Sequence, residues 1–139
     1  AVESEAEMLL ALDHGWRMAE GLKPVKTQIR DLYRRPMLPD ELAELDAVVL
    51  DPPRAGAERQ VVEIGKSTVP RIAYVSCNPV TFARDAAALV GAGYKLDWVQ
   101  VVDQFRWSSH VELAACFTRG SSELQGRKKK LNALVFTSL

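Results

Sequence analysis

Arg71-Ile72-Ala73-Tyr74-Val75-Ser76-Cys77-Asn78-Pro79 decides how this 139-residue chain folds, because it passes from strand chemistry to helix chemistry within three residues. Residues 71–76 are a short, mostly apolar run with two β-branched aliphatics and an aromatic, which predicts a buried parallel strand. Asn78 is a favoured N-cap, and Pro79 suits the first helical position, where its missing N–H costs nothing. Val80, Ala83, Ala87 and Val90 then recur at i, i+3, i+7 and i+10. That spacing predicts one helix face, ended by Gly91 and Gly93.

Cys77 therefore stands between a strand end and a helix N-terminus. The reactive form of the group is the thiolate, and the positive end of a helix dipole favours it. Open α/β sheets also bind ligands outside the carboxyl ends of their strands, where Cys77 projects. Two readings follow from the cysteine alone: a nucleophile, or a small buried hydrophobe at a strand end.

Two more junctions carry polar groups. Asp46-Ala47-Val48-Val49-Leu50 runs into Asp51-Pro52-Pro53-Arg54-Ala55-Gly56, so a carboxylate precedes a rigid loop poor in N–H donors. Such a loop can meet the N–H edge of a planar base, although Pro-Pro is also ordinary turn punctuation. Further on, Val99 to Val102 reads as a strand, Asp103 to Ser109 as a polar and aromatic loop, and His110 to Phe117 as a returning strand. Glu112 is flanked there by apolar residues. It is either a general base tuned by partial burial or, with His110, the polar face of an edge strand.

Taken together, DPPRAG, YVSCNP followed by TFARD, and VDQF…HVE closely resemble the uracil-C5 RNA methyltransferases, which make 5-methyluridine in ribosomal or transfer RNA. The resemblance covers about residues 1 to 118. It implies that Cys77 is the nucleophile that adds to C6 of uracil, and that Glu112 removes the C5 proton. Asp51, Pro52, Pro53 and Arg54, with Asn78 and His110, are the implied substrate contacts. Arg54 either meets a phosphate or holds Asp51. The implied cofactor is S-adenosylmethionine, with Glu3 on its ribose hydroxyls, Asp31 near the adenine and Asp51 near the methyl group. Asp31 also reads as a helix cap or a surface charge. The implied partner is RNA, either rRNA or tRNA, and the implied setting is cytoplasmic. Two other readings stay open: an amino-methyltransferase built on the Asp-Pro-Pro loop, or an inactive fragment that binds a partner.

The fold expected is α/β, a partial Rossmann-like class I methyltransferase fold with a mostly parallel sheet and a C-terminal antiparallel strand pair. Strands are predicted near residues 25–30, 46–51, 71–76, 95–103 and 110–118. A helix after Glu3 is predicted to present Leu9, Leu12, Trp16 and Ala19 on one face. Residues 1–118 then form the C-terminal part of a catalytic domain whose first strand and Gly-rich loop are missing, which leaves an unpaired edge at the sheet's centre and a chain of low stability and weak activity.

Composition bounds the rest. At 47% hydrophobic residues the chain can bury one core. Lys plus Arg and Asp plus Glu number 18 each, so the net charge is zero, where an RNA-gripping unit usually carries a basic excess. Two widely separated cysteines point to a reducing compartment and to no metal site. No apolar run is long enough to span a membrane as a helix. Residues 119–139, with the linker-like Gly120-Ser121-Ser122 and the basic run from Arg127 to Lys130, are expected to be a poorly ordered tail.

Overall fold

The computed structural model describes residues 1–103, 111–120 and 132–137. In chain order these give β1 (Val2–Glu3), α1 (Ala6–Met18), β2 (Gln28–Ile29), α2 (Pro39–Leu42), β3 (Ala47–Asp51) and α3 (Glu58–Lys66). There follow β4 (Arg71–Ser76), α4 (Pro79–Gly91), β5 (Lys95–Asp103), β6 (Val111–Thr118) and β7 (Ala133–Thr137). The strands form one sheet of order β2-β1-β7-β3-β4-β6-β5. Every pairing is parallel except those of β6, which runs antiparallel to both β4 and β5. This is the expected α/β sheet with its antiparallel C-terminal pair.

Strand alternation builds the core. Val48 and Leu50 of β3, Ile72 and Tyr74 of β4, and Leu113, Ala115 and Phe117 of β6 all turn to one face and are buried. They cluster with Val61 and Ile64 of α3 and with Phe82 and Leu89 of α4. The opposite face of β4 is open, with Arg71 and Ala73 exposed and Val75 half-buried. A strand expected to be buried is thus covered on one side, because α3 and α4 lie together on that side.

The helices differ from the expected pattern in an instructive way. Helix α4 buries Phe82, Asp85, Ala86 and Leu89, while Val80, Ala83, Ala87 and Val90 face solvent. Both sets have helical spacing. The set carrying Phe82 and Leu89 is the one buried, since its larger apolar area gains more on leaving water. Helix α1 ends at Met18, and of Leu9, Leu12, Trp16 and Ala19 it buries Leu9 alone, because it packs on the two shortest strands. The strand expected over residues 25–30 contracts to Gln28–Ile29, since β1 offers it two partners.

The largest departure concerns the tail. The sheet's centre is filled: β7 lies parallel between β1 and β3, pairing Val2 with Phe136 and Ala47 through Asp51 with Ala133 through Thr137. Phe136 is 4% exposed and joins the core, and Leu134 packs against it. Asn132 and Asp46 bracket the start of this ladder, the Asp46 N–H donating to the Asn132 carbonyl at 2.8 Å and the Asn132 N–H donating to Asp46 Oδ2 at 2.9 Å. The open edges of β1 and β3 carry unmet N–H and C=O groups, and an apolar segment with inward Leu134 and Phe136 satisfies them.

Phe136→Ala is accordingly expected to lower the unfolding free energy by about 3 kcal/mol or more. Truncation after Gly120 is expected to do worse and abolish a cooperative urea transition. An unchanged urea midpoint in either variant would show that β7 does not close the sheet.

Candidate active site

Glu3, Asp51, Cys77 and Glu112, singled out in the sequence, gather along one edge of the sheet, where parallel strands end and the reversed β6 begins. Glu3 closes β1 and Asp51 closes β3, while Cys77 follows β4 directly. The last rung of the β4–β6 ladder pairs Ser76 with Leu113, so Cys77 and Glu112 are the next residues outward on the two strands. Cys77 is a free, half-buried thiol, and Glu112 is half-buried.

Local hydrogen bonds set the turn that presents Cys77. Ser76 Oγ accepts from the Asn78 N–H and donates to the Asn78 carbonyl, both at 3.1 Å, which brackets the cysteine. Asn78 caps α4 as its sequence position predicts, its Oδ1 accepting from the Val80 N–H at 3.0 Å. The same side chain's Nδ2 donates to the Arg54 carbonyl at 2.9 Å. Asn78 is thereby engaged in holding the loop, not only in capping.

Asp51, Pro52 and Pro53 share a cleft of about 230 Å³ with Glu3, Asp31 and Phe136. Glu3 is 2% exposed, and its Oε1 accepts from the N–H groups of Ser4 and Glu5 at 2.6 and 3.1 Å. A buried carboxylate at a strand end, fixed by two backbone donors, is suited to accept from paired hydroxyls. Asp31 lines the same cleft while its Oδ1 accepts from the N–H groups of Tyr33 and Arg34, so it also caps the turn that follows β2. Burial pushes the Asp51 carboxyl above its usual range, and the Glu112 carboxylate pushes it the same way. The two carboxylates are therefore close enough to feel each other's charge, while Cys77 and Glu112 are not among the residues that line the cleft.

His110 lies outside the described residues. Among the described residues, no group of three or more His, Cys, Asp or Glu side chains is placed to hold a metal, and no helix is long and apolar enough to cross a membrane. The second cysteine, Cys116, sits in the middle of β6 opposite Ala73, and burial raises its pKa. Sequence reasoning missed Gln60, which is buried beside the cleft and grips the Met37 backbone with both ends of its amide at 2.7 and 3.1 Å. It also missed Asp85, since a charged residue in a helix normally reads as solvent-facing.

A mostly parallel sheet with one reversed strand, and acids at the ends of β1, β2 and β3 lining one cleft, defines the class I methyltransferase fold. Within that class the chain belongs to the tRNA (uracil-5-)-methyltransferase family, whose profile matches residues 17–119. It is 54% identical over 120 residues to a protein of Brucella suis named an uncharacterized RNA methyltransferase, covering 86% of this chain and 29% of that one. Over 76 residues, 55% of this chain and 16% of the other, it is 49% identical to the 23S rRNA (uracil(1939)-C(5))-methyltransferase RlmD of Colwellia psychrerythraea. Among solved structures it is similar to the Pyrococcus abyssi tRNA (uracil-54, C5)-methyltransferase in complex with S-adenosyl-L-homocysteine. The TM-score there is 0.71 at 29% identity, over 84% of this chain and 28% of that chain. The chain thus spans less than a third of the length of these relatives.

The proximity of the two carboxylates has a measurable consequence. Because the folded-state pKa of Asp51 is raised, the native chain holds this proton to higher pH than the unfolded one, and stability falls as pH rises from about 4 through the folded value. In Glu112→Gln the Asp51 midpoint, followed by carboxyl NMR, is expected to move down and this loss of stability to shrink. An unmoved midpoint would mean that the two carboxylates do not share the site.

Proposed function

We propose that this chain carries the reacting groups of an S-adenosylmethionine-dependent RNA methyltransferase that methylates C5 of a uridine. The observation that supports the reading is the β4–β6 register, whose last rung, Ser76 with Leu113, leaves Cys77 and Glu112 as the next residues outward at the edge where β3 also ends in Asp51. Family membership and the relatives' printed names support the same chemistry.

Uracil C5 is too weak a nucleophile to take a methyl group unaided. The Cys77 thiolate adds to C6, and the electron pair moves to make C5 enolate-like, dividing one hard step into easier ones. The donor, when bound, supplies an electrophilic methyl group at a sulfonium centre. Once C5 carries the methyl, Glu112 takes the C5 proton, the C5–C6 double bond re-forms and the thiolate leaves. Glu3 is suited to the donor's ribose hydroxyls and Asp31 to its adenine end. Asp51 with Pro52, Pro53 and Arg54 lines the space between donor and base. A uridine within folded RNA has to leave its stack to reach this edge. RNA as partner and a cytoplasmic setting belong to this reading.

RNA carrying 5-fluorouridine tests the scheme, because fluorine at C5 cannot leave as a proton and the adduct accumulates. The wild-type chain is expected to form a protein–RNA adduct that survives denaturant, and Cys77→Ala none. With ordinary RNA, Glu112→Gln is expected to slow turnover by about 10²–10⁴-fold while adduct builds up, as loss of a general base entails. A methylating Cys77→Ala variant, or methyl groups found on exocyclic nitrogens, would contradict the proposal.

A further inference from the structure

Helix α4 begins at Cys77's turn, and the first two turns of the helix grip the loop that carries Asp51. Asn78 Nδ2 and Thr81 Oγ1 donate to the Arg54 carbonyl at 2.9 and 3.0 Å. One turn on, Arg84 Nη2 donates to the Ala55 carbonyl at 3.0 Å. Asp85 completes the set: its Oδ2 accepts from the Ala57 N–H at 2.6 Å. The four residues lie along one side of the helix at the spacing that brings side chains into a row.

Asp85 is the centre of this arrangement. It is 1% exposed, and both of its oxygens are engaged. Oδ2 also accepts from the Tyr74 hydroxyl at 2.6 Å, and Oδ1 accepts from Arg84 Nε and Nη2 at 2.9 and 2.8 Å. One carboxylate thus joins β4, three residues before Cys77, to the loop, to Arg84 and to the start of α3. Ala57 is the N-cap of α3 and has no side chain to cap with, so Asp85 supplies the acceptor, and its negative charge suits a helix N-terminus. Gly56 records how closely the loop is seated. Its φ is +81°, and a Cβ there would lie 2.6 Å from Arg84 Nη2 and 2.7 Å from Asp85 Oδ2.

We propose that Asp85 is a positioning residue: it fixes the Asp51–Gly56 loop against the Cys77 turn, so that the nucleophile and the loop lining the donor and base pocket move as one unit. A buried charge with four donors is rigid, because any displacement strips hydrogen bonds in a medium that offers no water in exchange. Displacing a reacting group by about 1 Å can cost 10²-fold in rate. The catalytic part of this claim rests on the proposed C5 methylation, whereas the clamp itself does not.

The test compares Asp85→Ala, Asp85→Asn and Gly56→Ala in the full chain, with two readouts. In Asp85→Ala, hydrogen exchange at the Ala57 amide is expected to speed up at least tenfold, while the amides of β3 and β4 keep their protection and Cys116 its alkylation rate. Adduct formation with saturating 5-fluorouridine RNA is expected to fall about 100-fold, with RNA affinity changed less than threefold. Asp85→Asn keeps an acceptor oxygen for Ala57 and is expected to recover most of both losses. Gly56→Ala, which lifts the loop while leaving the charge in place, reproduces the phenotype even where Asp85→Ala fails to fold. Wild-type exchange at Ala57 in folded Asp85→Ala or in Gly56→Ala overturns the clamp. An unchanged adduct rate, or an equal loss in RNA affinity, overturns its role in positioning. Absence of any adduct in the wild type overturns the proposed reaction instead, and the exchange arm still decides for or against Asp85.

Discussion

The antiparallel pairing of β6 with β4 is the constraint on which the site depends. Six consecutive rungs, from Arg71 with Thr118 to Ser76 with Leu113, fix the two strands along their length. Since β6 runs backwards, its first residues and not its last lie at the carboxyl edge of the parallel strands. A carboxylate near the start of β6 is therefore delivered to the residue that follows β4. Strand register admits no intermediate setting, because a slip of one residue turns every side chain to the opposite face. It would drive Leu113, Ala115 and Phe117 out of the core, so the packing of those three residues protects the placement of Glu112 beside Cys77.

Packing and chemistry are joined a second time in helix α4. The face that buries Phe82, Ala86 and Leu89 also buries Asp85, and the helix is anchored by apolar contact along most of its length. Phe82 meets Tyr74 edge to face at 5.4 Å between ring centres, and the Tyr74 hydroxyl turns to Asp85. Burial and the neighbouring carboxylate push the Tyr74 pKa far above its ordinary value, so the phenol stays a donor throughout the working pH range. The hydrophobic core thereby reaches, through one aromatic pair and one carboxylate, to the loop at the mouth of the cleft.

The positions of Cys77 and Asp51 at strand ends were legible because strand and helix grammar changes abruptly beside them: Asn78-Pro79 starts a helix, and Pro52-Pro53 ends a ladder, whereas Glu3 was placed by the family resemblance alone. The inward face of α4 was not legible from spacing. Val80, Ala83, Ala87 and Val90 match helical period as well as Phe82, Ala86 and Leu89 do, and an aspartate in the second set masks it. The place of Ala133–Thr137 in the sheet was illegible for a different reason. Its partners, Ala47–Asp51 and Val2, are far off in sequence, and five residues after a Gly-Ser linker and a basic run carry too little pattern to distinguish a central strand from a tail. Non-local pairing of that kind is decided by which sheet edges stand open, and a local reading of sequence does not contain that information.

The account's central claim is that the chemistry passes through C5 of uracil with a thiolate on C6 and a base for the C5 proton. The most direct measurement is to methylate RNA containing uridine labelled with tritium at C5 and to count methyl groups gained against tritium released to water. The account predicts one tritium released for each methyl group transferred, with both processes absent when Cys77 is replaced. Methylation with tritium retained in the product would place the methyl group on another atom and contradict it.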